Sequence, residues 1–341
     1  MKVCTDCGFV YNEAFDEKVL MYGMHYDNTQ SHSPYFAHYL EKLATYLINE
    51  KGVRNSRIVE VGCGKGTFLR MLIAAREIGN SGYGFDPSYV GPDSDLDGRL
   101  KFERRNYGPE CARVPADIVI CRHVIEHVPD PLELLYQVRQ ALDSSTHGRI
   151  FFETPCVEWI LRNKVIWDFF HEHCSLFSAD SLTTGFQRAG FQVDNVRWIF
   201  CGQYLWIEAS VPADRPDVRK RAGEVPALAK QFALSEENLK SSWLHRIRAL
   251  RAKGKIAIWG AGAKGAAFAN LIDPGRELID CIVDLNPSKQ GHYLPGTGHP
   301  IVGHRDLKTR NIAYAILMNP NYREENLALL QEAAIDTSLI E

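Results

Sequence analysis

A pair of glycine-rich loops constrains this chain more than any other feature. Each lies between an apolar, strand-like run and a helix-like run. The first is Gly62-Cys63-Gly64-Lys65-Gly66, after Arg57-Ile-Val-Glu60-Val61. The second is Gly260-Ala-Gly262-Ala-Lys264-Gly265, after Lys255-Ile-Ala-Ile-Trp259. Glycine at a strand end lets the backbone approach a ligand with no Cβ in the way. The helix that follows turns its first amide groups toward an anion. About twenty residues beyond each loop, an apolar run ends in an acid, Asp86 and Asp284 respectively. Two such patterns, far apart, predict an α/β chain with two Rossmann-like units.

The rest of the chain divides around them. Residues 1–50 form an N-terminal arm that opens on Cys4-Thr-Asp-Cys7-Gly8 and ends in a helix-like stretch introduced by Ser33-Pro34. Residues 51–212 alternate strands and helices and form the first Rossmann-like domain. Residues 213–250 read as charged connecting helices, and residues 251–341 as the second Rossmann-like domain.

Composition excludes several functions. Of 341 residues, 45% are hydrophobic and 24% charged, an ordinary globular balance. The formal charge of -3 argues against a general electrostatic grip on nucleic acid or an anionic membrane. No apolar run approaches the roughly 20 residues of a membrane helix. The start has no apolar signal-peptide core. Nine scattered cysteines, an odd number, suit a reducing cytoplasm better than a disulfide framework.

In the first loop the third glycine comes one residue too early for a dinucleotide fingerprint, and Glu60 precedes the first glycine by two residues. The loop, Asp86-Pro87, Asp117-Ile-Val-Ile and Arg122-His123-Val-Ile-Glu-His127-Val-Pro-Asp-Pro131 together resemble class I S-adenosylmethionine-dependent methyltransferases. The resemblance implies a cofactor site of Glu60, Gly62, Gly64, Gly66, Asp86, Pro87, Asn106 and His123. Asp86 would accept both ribose hydroxyls and Asn106 would meet the adenine.

The second loop does match the dinucleotide pattern and taken alone reads as an NAD site. Its surroundings, Val283-Asp-Leu-Asn286-Pro-Ser-Lys289-Gln-Gly291-His-Tyr-Leu-Pro295, resemble the C-terminal domain of sugar C-methyltransferases. That module implies no redox cofactor and a role in enclosing a nucleotide sugar, with Lys264 or Lys289 meeting a diphosphate. A scaffold whose glycines serve only packing is the alternative.

The same family supplies a counterpart for Phe170-His171-Glu172-His173. Methyl transfer to carbon needs a base to create the nucleophile, and histidine suits proton abstraction near neutral pH. The resemblance implies His173 as base, Glu172 as its partner and His171 as a weaker candidate. A structural histidine network and a metal site are the competing readings.

The chain also departs from the family. Two tyrosines of the family's active segment are Phe170 and Leu176 here, which leaves Tyr26 as the remaining phenol. Asn28 and Phe170 join Lys264 and Lys289 as acceptor-binding candidates. Of the family's two Cys-x-x-Cys zinc pairs only Cys4 and Cys7 are present. They are two of the four ligands a structural zinc needs, with His25 or His32 as further candidates.

The expectation is a cytoplasmic C-methyltransferase of a nucleotide-linked deoxy keto sugar, using S-adenosylmethionine. It acts on a small molecule, with no nucleic-acid or membrane partner. The alternatives are an O- or N-methyltransferase on another metabolite, an NAD-dependent oxidoreductase using the Gly260 loop, and a non-catalytic binding scaffold.

Overall fold

A computed structural model describes residues 1–20, 30 and 32–341. Tyr26, Asn28 and His25 lie outside the described residues. The chain forms two compact units. One comprises residues 1–29, 39–162 and 171–229, and the other residues 30–38, 163–170 and 230–341.

The strands of the first unit are β1 (Lys2–Val3), β2 (Val10–Tyr11), β3 (Arg57–Val61), β4 (Ser81–Phe85), β5 (Ser94–Asp95), β6 (Leu100–Glu103), β7 (Ile118–Arg122), β8 (Arg149–Pro155), β9 (Ser175–Leu176), β10 (Gln192–Ile199) and β11 (Tyr204–Ser210). Eight of them form one sheet in the order β10-β11-β8-β7-β3-β4-β6-β5. The centre, β8-β7-β3-β4-β6, is parallel. β3, β7 and β8 are buried along most of their length, as packing between helical layers requires, while β6 alternates and exposes Lys101. β11 pairs antiparallel with both β8 and β10. The sheet is therefore mixed, where the alternating pattern predicts parallel strands. Sequence gave no warning of the β10–β11 hairpin because β10 exposes polar residues at irregular intervals.

β3 has β4 on one side and β7 on the other, so the chain leaves it in opposite directions. The crevice at the carboxyl end of such a strand is where open α/β sheets bind ligands. A core including Val59, Val61, Phe85, Val119, Cys121, Ile150 and Phe152 fixes that crevice from below. A second, three-stranded sheet, β1-β2-β9, ties the N-terminal arm to the segment after His173.

The second unit contains a parallel sheet of β12 (Lys255–Trp259), β13 (Cys281–Val283), β14 (Ile301–Val302), β15 (Ile312–Leu317) and β16 (Ser338–Ile340), in the order β14-β13-β12-β15-β16. Apolar clusters around Ile258 and Phe268 on one face, and Ala257 and Leu317 on the other, bury it. The charged connecting stretch forms a helix, Val225–Arg251. Trp167 packs edge-on against Trp243 and Phe268, which holds residues 163–170 in this unit. No helix of the described residues is long and apolar enough to cross a membrane.

Candidate functional site

The first glycine loop caps β3. Gly62, Gly64 and Gly66 all have positive φ, a conformation that costs other residues strain. A Cβ on Gly62 would stand 2.1 Å from the Val124 side chain, so the close approach demands glycine there. A Cβ on Gly64 would meet nothing within 4 Å, which leaves the loop's outer face open. The loop is tied down by Gly62 and Cys63 N–H groups donating to the Phe85 carbonyl at 2.8 and 3.1 Å. Asp86 follows at the end of β4. Its Oδ2 accepts from Gly64 N–H at 2.8 Å, and its Oδ1 from the N–H and hydroxyl of Ser88 at 2.7 and 2.6 Å. The carboxylate is thereby oriented at the crevice. Pro87 is half-buried beside it, and Asn106 is exposed.

Glu60 is buried below the loop, and its Oε2 has no hydrogen-bond partner. Burial pushes its carboxyl up, and Arg122 only partly offsets this; it settles at about 7. A buried carboxylate oxygen without a donor is costly unless a ligand supplies one. An open glycine loop, an oriented acid and an orphaned buried carboxylate fit S-adenosylmethionine. Asp86 would hold its ribose, the loop its methionine portion, and Glu60 would offer counter-charge.

Beside this pocket lies a buried polar network, of which the sequence singled out only His123, as a cofactor contact. Glu153, on β8, accepts from the Tyr39 hydroxyl at 2.7 Å and from Arg122 Nε at 2.7 Å, and meets His123 Nε2 at 3.1 Å. The other His123 nitrogen lies 3.4 Å from Glu126 Oε1. Thr154 donates to Glu126 Oε2 at 3.1 Å. Two cations and two carboxylates balance, the condition under which burying such charges is tolerated. Burial pulls the His123 imidazole down, but the two glutamates more than restore it, to about 9. Burial pushes Glu153 up, while Arg122 and His123 outweigh it and hold the carboxyl at about 2. Burial and the Glu153 charge keep the Tyr39 phenol protonated. His123 itself has φ of 54°, a strained backbone of the kind found at functional sites. For its other members the available signal was Glu153 in the otherwise apolar Ile150-Phe-Phe run.

The network reaches the His-Glu-His segment. The His173 ring lies edge-on to His127, with centroids 4.7 Å apart. One ligand-type atom each from Glu126, His127 and His173 falls within 4.8 Å of the others. His173 is buried and His171 exposed. His171 Nε2 accepts from the Asp16 N–H at 3.3 Å, its carbonyl accepts from Asn12 at 3.0 Å, and its ring stacks on Phe15. The segment thus turns His173 toward the strand ends and His171 toward the arm. Glu172 is half-buried between them.

The remaining candidates are dispersed. Cys4 and Cys7 occupy a tight knuckle, where Gly8 N–H donates to the Cys4 carbonyl at 2.9 Å. Backbone donors at Asp6 and Cys7 lower the Cys4 thiol, and burial raises Cys7. Among the described residues, no third metal-type ligand joins them. In the second unit Lys264 forms an ion pair with Asp168 at 2.6 Å, and Lys289 lies 3.7 Å from Asp284. Phe170 is half-buried in that unit.

Residues 30–196 match the family model of a methyltransferase domain, and residues 220–338 that of the C-methyltransferase C-terminal domain. The chain is 27% identical to C-methyltransferase NovU of Streptomyces niveus over 95% of its own length and 80% of that protein. Among solved structures, 1,6-didemethyltoxoflavin-N1-methyltransferase of Burkholderia thailandensis gives a TM-score of 0.38 at 15% identity, covering 50% of this chain and 78% of that one. Magnesium protoporphyrin IX methyltransferase of Synechocystis gives 0.41 at 13% identity, covering 55% and 89%. With a glycine loop and acid that fit the donor, and with both domain models present in order, this chain belongs to the S-adenosylmethionine-dependent methyltransferases that carry a C-methyltransferase C-terminal domain.

Proposed function

We propose that this enzyme methylates a carbon beside the ketone of a nucleotide-linked deoxy sugar, with His173 as the base. The observation that carries the reading is the surroundings of His173: it is buried against His127 and Glu126 of the short turn that follows β7. When bound, S-adenosylmethionine supplies an electrophilic methyl group on a sulfonium sulfur. His173 takes the proton from the acceptor carbon, whose electron pair is then free to form the new carbon–carbon bond. Glu172 would orient the ring. Placement and deprotonation are the enzyme's main work in such a displacement.

Lys264, Lys289 and Phe170 are proposed to contact the acceptor, together with Tyr26 and Asn28. The two lysines are already matched to Asp168 and Asp284, so a diphosphate would have to exchange with those carboxylates. Nine scattered cysteines, an odd number, support a reducing compartment such as the cytoplasm.

The test is hydrogen exchange in deuterated water with a nucleoside diphosphate-linked 4-keto-6-deoxyhexose. The expected result is solvent exchange beside the ketone that falls about 100-fold or more in His173→Ala, with S-adenosylhomocysteine binding retained. Unchanged exchange in that variant sinks the base assignment.

A further inference from the structure

We propose that Glu126 is a positioning residue for this reaction: from between His123 and the His127–His173 pair, it raises the proton affinity of His173. This rests on the reading of His173 as the base.

The geometry is specific. Glu126 sits in the short turn Ile125–His127 directly after β7, with 1% of its surface exposed. One carboxylate oxygen faces His123 Nδ1 at 3.4 Å, and the other accepts from Thr154 at 3.1 Å. A carboxylate oxygen also falls within 4.8 Å of a ring nitrogen on both His127 and His173. The backbone carbonyl of Glu126 accepts from the Cys174 thiol at 3.6 Å, which fixes the residue after His173 to the same turn. The titratable groups facing the carboxylate are therefore His123, His127 and His173, with the buried thiols Cys121 and Cys174 nearby. Glu153 and Arg122 stand behind His123.

Burial pushes the Glu126 carboxyl up, yet its bond to His123 and the nearby imidazoles hold it below the ordinary carboxylate range. It is therefore an anion at neutral pH. A fixed buried anion beside an imidazole favours the protonated ring. Such a ring accepts a proton more readily than one in an apolar wall. Thr154 and His123 hold the carboxylate in place, so its effect on His173 does not depend on substrate.

The test needs no acceptor. Histidine-labelled protein, saturated with S-adenosylhomocysteine, is titrated by long-range proton–nitrogen NMR, and the His173 signal is assigned from its loss in His173→Gln. In Glu126→Gln the His173 midpoint moves to lower pH by about one unit, with S-adenosylhomocysteine affinity within about twofold. Glu126→Asp keeps most of the wild-type midpoint. Thr154→Val removes a hydrogen bond from the carboxylate and moves the midpoint upward, which keeps the test open should Glu126→Gln fail to fold. A midpoint that stays put in the variants that fold overturns the proposal. So does stoichiometric metal in the purified enzyme that is lost in Glu126→Gln, since the carboxylate would then be a ligand. Failure of the exchange experiment alone removes His173 as base and leaves the NMR result standing, so the two readings fail separately.

Discussion

The two glycine loops share a backbone plan and differ in what lies behind it. In the first unit, Asp86 accepts from Gly64 N–H at 2.8 Å and Ser88 N–H at 2.7 Å. In the second, Asp284 accepts from Ala261 N–H at 2.9 Å and Asn286 N–H at 2.8 Å. The difference lies in two side chains. Two residues before the first glycine stands Glu60 in one unit and Ile258 in the other. At the end of the neighbouring strand, beyond the pairs Val61↔Cys121 and Trp259↔Leu317, stand Arg122 and Met318. One crevice has a carboxylate and a guanidinium in its floor, and the other has an isoleucine and a methionine at those two positions. Loop shape is thus shared by a site with chemistry and one without these charges, and the fold alone does not assign function.

The sharpest way to separate the loops is to fill their glycines. A Cβ on Gly265 would stand 1.8 Å from the Gly260 carbonyl oxygen and 3.0 Å from its carbonyl carbon, both backbone atoms. Gly265→Ala should cost about 3 kcal/mol of stability through overpacking. Gly64→Ala, whose Cβ meets nothing, should cost only about 1 kcal/mol of backbone strain while weakening S-adenosylhomocysteine binding. Thermal melts and calorimetry read both. Equal destabilisation by the two variants would erase the contrast.

The second effect concerns the acids. Asp86→Ala should weaken S-adenosylhomocysteine about 50-fold, the order of one lost charged hydrogen bond. Asp284→Ala should leave that affinity unchanged within about twofold. Calorimetric binding of NADH to the wild-type protein that is abolished by Asp284→Ala would show that the second crevice does hold a nucleotide.

The third and smallest effect is a pH signature of the first unit's charges. His123 is raised to about 9 in the folded chain. Its contribution is complete below the unfolded value of about 6.5 and fades as pH climbs through 9. Between pH 7 and 9 the loss should be on the order of 2 kcal/mol, visible as a falling melting temperature. The decline should flatten in His123→Asn; an equal decline in that variant would place the lost stability elsewhere.

Much of this was legible in the sequence because it rests on local pattern. The strand–glycine–helix runs specify both loops, and Glu60 and Asp86 lie at fixed distances from the glycines. The His-Glu-His segment stood out by composition. What could not be read depends on partners distant in the chain. Tyr39 and Glu153 are 114 residues apart, and Arg122 meets Glu153 only because β7 and β8 are neighbours. His171 and His173 share a face in an extended strand, yet the segment turns between them, and His171 goes to Asp16.

The sheet β1-β2-β9 carries a consequence for biosynthesis. Val10 pairs with Leu176 and Tyr11 with Ser175. Residues 1–12 therefore wait for most of the first unit to be translated before their outer edge is closed. Closing so long a loop is costly until the intervening sheet has formed. The arm that grips His171 is then among the last parts of its unit to lock, so the turn that carries His173 sets only once the sheet beneath it exists.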